Sequence, residues 1–227
     1  MPVLNEAHQI TDLLDHLRAL QASHVVFVDG GSRDGTLDIL AQTLQSHSNW
    51  QVRISACGRA QQLQAGVAGI ESQWLLFLHA DTRLPNEYRS EINNCELSGK
   101  KWGRFDVQFK SINRRFDVAM RVVARFINWR SRITSIATGD QAIFVRADLL
   151  HDIGGIPNLP IMEDVALSTR LKAVQRCYAS RKKVVTSARR WQKNGVVRTV
   201  LLMWVMRFAF AVGVPSERLA AWYQNVR

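Results

Sequence analysis

The chain has 227 residues, enough for one domain with a sizeable core and too few for two ordinary ones. A hydrophobic fraction of 47%, with no repeat period or low-complexity tract, excludes a disordered chain and a solenoid. The formal charge of +11 calls for an anionic partner and leaves nucleic acid, an acidic membrane surface and a phosphorylated substrate all open. Cys57, Cys95 and Cys177 are too far apart for a zinc or redox motif and are expected to be reduced bystanders.

From Glu6 to Leu20 the apolar residues Ile10, Leu13, Leu14, Leu17 and Leu20 recur at three- and four-residue steps, which predicts a helix with one buried face. The segment from His24 to Asp29 is an apolar run ending in a carboxylate and two glycines, which predicts a buried parallel strand. The unit then recurs: a helix from about Thr36 to Ser46, a strand at Val52–Ser55, a helix from Arg59 to Ile70, a strand at Trp74–Leu78. Such alternation predicts an α/β fold with an open, mostly parallel sheet flanked by helices. Open sheets bind ligands beyond the carboxyl ends of their strands, so the clusters Asp29–Gly35 and His79–Arg83 are expected in one crevice. After Ser98 come an alternating segment, Trp102–Lys110, a basic helix, an apolar strand, Ala142–Val145, and a helix beginning near Glu163. Gly154, Gly155 and Pro157 through Pro160 read as a loop and a candidate lid.

Three motifs stand in order: Pro2-Val-Leu-Asn-Glu6, Val28-Asp-Gly-Gly-Ser-Arg-Asp-Gly-Thr36 and Leu78-His-Ala-Asp-Thr82. Gly139-Asp-Gln141, Met162-Glu-Asp-Val165 and Ser187-Ala-Arg-Arg-Trp191 come after them. Together they resemble the family-two glycosyltransferases of GT-A type, in particular the small bacterial branch of radical-SAM or selenodomain-associated transferases. The resemblance implies an inverting enzyme that moves a sugar from a UDP- or GDP-linked donor to the hydroxyl of a lipid-linked or small-molecule acceptor. It implies one domain: a nucleotide-binding half over 1–98, an acceptor half over 99–190 and a C-terminal helical region over 191–227. It further implies several more apolar residues ahead of Pro2, so the first strand is expected to be short here. With no signal peptide before the first motif, the domain is expected to face the cytoplasm.

By the same resemblance Asp29 contacts the base or ribose, with Pro2, Asn5, Glu6, Gly30 and Asp34 around it; Asp34 reads equally as a helix cap. Arg59 and Gln62, from Gly58-Arg-Ala-Gln-Gln62, join the donor site; Gln64 replaces an expected asparagine. Ala80 and Asp81 lie by the diphosphate, where Asp81 implies a manganese or magnesium ion, since such cations take one or two carboxylates plus phosphate oxygens. His79 replaces the first carboxylate of the expected Asp-x-Asp and stands open to three readings: metal ligand, phosphate contact or packing. Asp164, paired with Glu163, is implied as the general base an acceptor hydroxyl needs, and both carboxylates also suit a helix N-terminus. Asp140 and Gln141 are expected near the acceptor. Arg190 is expected on diphosphate oxygens, and Trp191 on a sugar ring, at a membrane interface or in the core.

On a helix, Arg114, Arg121, Arg125 and Arg132 fall on one line, with Phe116, Ala119, Met120, Val123, Phe126 and Ile127 opposite. The apolar stretch Val196–Val212 is shorter than the ~20 residues that span a bilayer and contains Arg198 and Arg207. Core packing or peripheral contact with anionic lipid is expected of both. A nucleic-acid partner is not expected, because the arginine stripe has apolar neighbours rather than base-reading polar ones. A nucleotidyltransferase, which needs a glycine- and lysine-rich phosphate loop, and a catalytically impaired nucleotide- or lipid-binding relative are the rival readings.

Overall fold

The apolar run after His24 and the helical rhythms on either side of it fold as read, because each buries its apolar side against the other. The structure, a computed structural model, describes residues 1–22, 24–110 and 113–226, with the side chains of 114, 115 and 224–226 outside the description. Strand β1 (Pro2–Val3) leads into α1 (Ala7–Ala19), β2 (Val25–Asp29), α2 (Thr36–Leu44), β3 (Trp50–Ile54) and α3 (Arg59–Val67). Next come β4 (Trp74–Leu76), β5 (Thr82–Arg83), α4 (Tyr88–Leu97), β6 (Trp102–Phe109) and α5 (Arg114–Thr134). A 3-10 turn (Gly139–Gln141), β7 (Phe144–Arg146), α6 (Ala147–Asp152), α7 (Glu163–Val174) and β8 (Tyr178–Thr186) continue the chain. Three helices come after them: α8 (Arg189–Asn194), α9 (Val196–Ala211) and α10 (Ser216–Val226).

Strands β1, β2 and β3 form an all-parallel sheet in that order. The α/β class stands, and so does the parallel sheet flanked by helices. Strand β4, read from sequence as one more parallel strand, instead pairs antiparallel with β7 in a second sheet ordered β4-β7-β6-β8-β5. There β6 and β8 run parallel, while β7 opposes β4 and β6 and β5 opposes β8. Packing accounts for the change, since the Trp74 ring tilts onto Phe144 of β7 at 5.9 Å between centroids.

Ile10, Leu13, Leu14 and Leu17 of α1 enter the main core with Phe27, Leu40 and Phe105. A second cluster, with Leu63, Phe77, Trp102, Leu167 and Leu171, sets α3 and α7 against the second sheet. A third joins Met162 to Met206 and Ala209 of α9 and Leu219 of α10. Cys95 and Cys177 are free thiols pushed up to about 12 by burial, as inert bystanders should be.

Helix α5 corrects the amphipathic reading. Met120 and Val123 are buried as expected, but Phe126 is exposed. Arg132 leaves the solvated stripe to grip Asp106 with Nη2 at 2.9 Å from both carboxylate oxygens. Its partner also pairs with Arg104, whose side chain is fully buried. Asn128 donates to Val107 O at 3.0 Å and accepts from Val107 N at 2.8 Å, completing β6 just past its irregular register at Arg104/Asp106. Arg121 and Arg125 are exposed as expected, and the Arg114 side chain lies outside the described residues.

Gly103 shows how tightly the second sheet is built: a Cβ there would stand 2.4 Å from the Phe144 ring and 2.8 Å from Tyr178 O. Gly103→Ala is expected to lower the unfolding free energy by about 1–3 kcal/mol in urea titrations, because neither the backbone nor a packed ring yields freely.

Candidate active site

The loop after β2 is closed by carboxylates. Asp29, fully buried, accepts from Gly31 N at 2.7 Å and Ser32 N at 2.9 Å, and Ser32 Oγ donates to it as well. Asp34 accepts from Thr36 N at 3.1 Å, Thr36 Oγ1 at 2.6 Å and Ala7 N at 2.9 Å. The Thr36 hydroxyl, ahead of the other donors, holds the Asp34 carboxyl below its ordinary value. Asp34 stands one residue ahead of the N-cap of α2, which is Gly35, and its carboxylate ties the start of α1 to the start of α2. Asn5, in the left-handed region at φ 53, donates through N to Ser32 Oγ and accepts from Arg33 N, both at 2.9 Å. Glu6 N donates to Thr36 Oγ1 at 2.9 Å, and burial, then the charge of Asp81, raises the Glu6 carboxyl. Pro2 pairs with Val28 in the sheet, and a Cβ at Gly30 would press on the Gln62 side chain at 3.1 Å.

Gln62 does not face a ligand. It is buried and donates to both Val3 O and Val28 O at 2.8 Å, satisfying the carbonyls at the strand ends. Arg59, one turn earlier on α3, reaches the other way to Glu163 at 3.4 Å. Helix α3 therefore touches the loop cluster with one residue and the acid pair of α7 with another.

At that second point a pocket forms, lined by Arg59, Leu63, Phe77, His79, Gly139, Ile143, Ile156, Glu163, Asp164 and Leu167. Asp164 Oδ2 accepts from Gly139 N at 2.8 Å and Oδ1 from Val165 N at 2.7 Å. A Cβ on Gly139 would lie 2.4 Å from the His79 ring, so only glycine lets the two loops meet this closely. His79 is mostly buried, with Nδ1 at 3.4 Å from Asp140 Oδ1. Crowding by the protein would raise the Asp140 carboxyl, but the His79 hydrogen bond and the charges of His79, Arg59 and Arg190 hold it low. Glu163 goes the other way: burial, then the neighbouring Asp164, raises its carboxyl against the pull of Arg59. Met162, just before the pair, is held at φ 65, a strained geometry for a side chain of its size and one common at functional sites.

The expected site acids Asp29, Asp81 and Asp164 do not all meet at this pocket. Asp164 lines it with Glu163, Arg59 and His79; Asp29 and Asp81 stand outside that lining. Asp81 is half-buried, two residues beyond His79, with Thr82 Oγ1 donating at 3.3 Å, and Ala80 beside it is buried. Gln141 is corrected: it is fully buried, donates to Ser131 Oγ at 3.0 Å and Phe105 O at 3.3 Å, and caps its own turn instead of facing an acceptor. Trp191 packs edge-on against Phe109 at 5.7 Å, partly buried on the main core, and the Arg190 guanidinium lies over the Tyr223 ring at 4.8 Å. The expected lid is tethered to α3 where Ile156 N donates to Gln64 Oε1 at 3.1 Å. That bond also gives the unexpected glutamine at 64 a task.

Two cations that the sequence does not mark as site residues stand close enough to Asp164 to feel its charge. Burial, then repulsion from Arg207, pushes the Arg130 guanidinium down to about 9, and Asp164 is the acid that counteracts this. Arg207 is lowered by burial, again with Asp164 opposing, and its Nη2 is buried without a hydrogen-bond partner among the described residues. An arginine keeps its proton at neutral pH, so both carry positive charge that the pocket acid attracts. Only tertiary packing of α5 and α9 brings them there, and no local pattern could have marked them.

Among the described residues no three His, Cys, Asp or Glu side chains gather into a cage. A magnesium or manganese ion that keeps diphosphate oxygens as ligands needs only one or two from the protein, a number that the half-buried carboxylate of Asp81 alone would meet.

Residues 1–92 match the family model described as glycosyl transferase family 2. No curated protein matches the sequence closely enough to count as a relative. Among solved structures, S. aureus TarS 1–349 in complex with UDP is 19% identical with a TM-score of 0.62, over 82% of this chain and 58% of that one. The mannosyltransferase PcManGT from Pyrobaculum calidifontis, in complex with GDP-Man and Mn2+, is 21% identical with a TM-score of 0.56, over 81% and 54%. Glucosyl-3-phosphoglycerate synthase from Mycobacterium tuberculosis, in complex with Mn2+, UDP-glucose and phosphoglyceric acid, is 13% identical with a TM-score of 0.55, over 82% and 68%. At these identities the likeness is one of fold, the GT-A type, and the chain spans less than two thirds of the TarS chains it matches.

Because Glu163 is raised in the fold, its ionised form weighs against the native state increasingly as pH climbs from the ordinary carboxylate range through the raised value. Glu163→Gln removes that charge. Its melting temperature relative to the parent is expected to climb as pH rises from the ordinary carboxylate range of about 4 in paired thermal melts, and a difference that stays flat with pH would refute the raised value.

Proposed function

We propose that the protein transfers a sugar from a nucleoside-diphosphate donor to an acceptor hydroxyl, with inversion at the anomeric carbon, at the pocket lined by Asp164, Glu163, Arg59 and His79, with Asp140 against His79. The observation that carries this is the hold on Asp164: its carboxylate is fixed by Gly139 N at 2.8 Å and opens on a pocket with cations around it. That is the equipment of a general base beside an anionic leaving group. The match of residues 1–92 to glycosyl transferase family 2 and the nucleotide ligands of the structurally similar proteins support the reading.

In the proposed reaction Asp164 takes the proton of the acceptor hydroxyl as that oxygen bonds to the anomeric carbon and the bond to the diphosphate breaks. Arg59 takes up diphosphate charge, and Arg130 and Arg207 offer further positive charge on the side of Asp164. Arg190, drawn off Tyr223, is the remaining cation near Asp140. The loop of Asn5, Glu6, Asp29, Gly30 and Asp34 receives the nucleoside, with the exposed Gly31 backbone free of any Cβ in its path. Asp81 would hold a manganese or magnesium ion, which when bound neutralises charge on the leaving diphosphate. UDP- and GDP-linked sugars are the donors to try first, since those are the nucleotides held by the structurally similar proteins.

Two measurements test this. Asp164→Asn is expected to lower transfer by roughly 10²–10⁴-fold while leaving nucleotide affinity in place, and parental turnover in that variant would refute the assignment. In a thermal-shift panel, one nucleoside diphosphate is expected to raise the melting temperature over the others, and more so with manganese; a flat panel counts against the donor site.

A further inference from the structure

Helix α9 presents its exposed side without a polar cover. Leu201, Trp204, Val205 and Phe208 are 57–70% exposed, and the helix carries no acidic residue. On α5 a second apolar line is left bare: Val122, Phe126, Trp129 and Ile133, at 40–62% exposed. The lines are one surface, because Phe126 stacks on Trp204 with centroids 5.6 Å apart and planes at 24°. Water-facing apolar rows on two adjoining helices are far from the single exposed leucine that any surface tolerates.

The chemistry of the border selects the occupant. Arg121, Arg125 and Arg198 are exposed on the same two helices, Asp117 is their one acidic residue, and the chain as a whole carries +11. A second copy laid face to face would bring arginine rows together with little acid between them. An anionic lipid surface supplies the missing countercharge and takes the apolar rows into its acyl boundary, while Trp129 and Trp204 suit the headgroup level. Among the described residues no helix is long and apolar enough to cross a membrane, so α9, at 16 residues, would lie in the plane.

We propose that the joined faces of α5 and α9 form a docking surface for a membrane containing anionic lipid. The helix that carries half of this surface also reaches toward the pocket from its inner side, where buried Met206 shares a cluster with Met162, the residue before Glu163. Docking itself stands whether or not the pocket transfers sugar.

The test is co-sedimentation of the full chain with sucrose-loaded vesicles of phosphatidylcholine, with and without phosphatidylglycerol. The parent is expected to pellet with the anionic vesicles and to be released on pure phosphatidylcholine or at high salt. The double substitution Val205→Glu with Phe208→Glu, at exposed positions, is expected to reduce the bound fraction about tenfold with an unchanged melting temperature. Three results would overturn the proposal: a parent that stays in the supernatant with anionic vesicles, a double variant that pellets equally well, or a parent dimer that the same substitutions dissolve. None of these outcomes bears on nucleotide binding, which the thermal-shift panel reads separately.

Discussion

The hydrogen bond from Gly139 N to Asp164 Oδ2 is the join on which the pocket depends. It ties the turn before β7 to the first turn of α7, and it works only because His79 fits where a Cβ on Gly139 would be. Three segments far apart in sequence are thereby fixed within a few ångströms. The backbone around them accommodates this at two non-glycine residues in the left-handed region, Ala142 and Met162, each buried in a cluster that prevents relaxation. Local strain held by a surrounding core is the usual signature of a site whose geometry matters more than its own comfort.

Around that join the acids divide by environment. Asp140 is held ionised by His79 and the nearby guanidinium groups, while Glu163 is driven toward its neutral form by burial and by Asp164. Neighbouring carboxylates with opposite tendencies are what a site needs when one group must stay charged and another must tolerate burial. Arg130 and Arg207 add positive charge that interacts with Asp164, from helices that contribute no residue to the pocket lining.

Much of the first half was legible because its signals are local. Apolar runs ending in Asp29 and near His79, and helical periods between them, need only nearest neighbours to be read. The second sheet was not legible, since the pairing of β4 with β7 joins segments some seventy residues apart, and β8 hides behind the exposed Arg181, Lys182 and Lys183 before Val184 turns inward. Among site residues, Asp164, Glu163, Arg59 and His79 were marked by motif and do meet. Gln141 carried a motif too, but the Ser131 hydroxyl and Phe105 carbonyl claim its amide, a contact that no spacing rule foretells. Phe126 was assigned inward by its helical angle, whereas the structure leaves that angle facing outward beside Trp204.

The placement of Gln62 and Arg59 makes α3 a ruler between the two halves of the site. Gln62 grips the ends of β1 and β2, and Arg59 meets Glu163. Each residue added to an α-helix turns the remainder of that helix by about 100° and advances it by about 1.5 Å. A single insertion between these two positions would therefore swing one of them off its target. The interval of three residues is a length standard, and evolution could lengthen the loops on either side far more easily than it could alter that one helical turn.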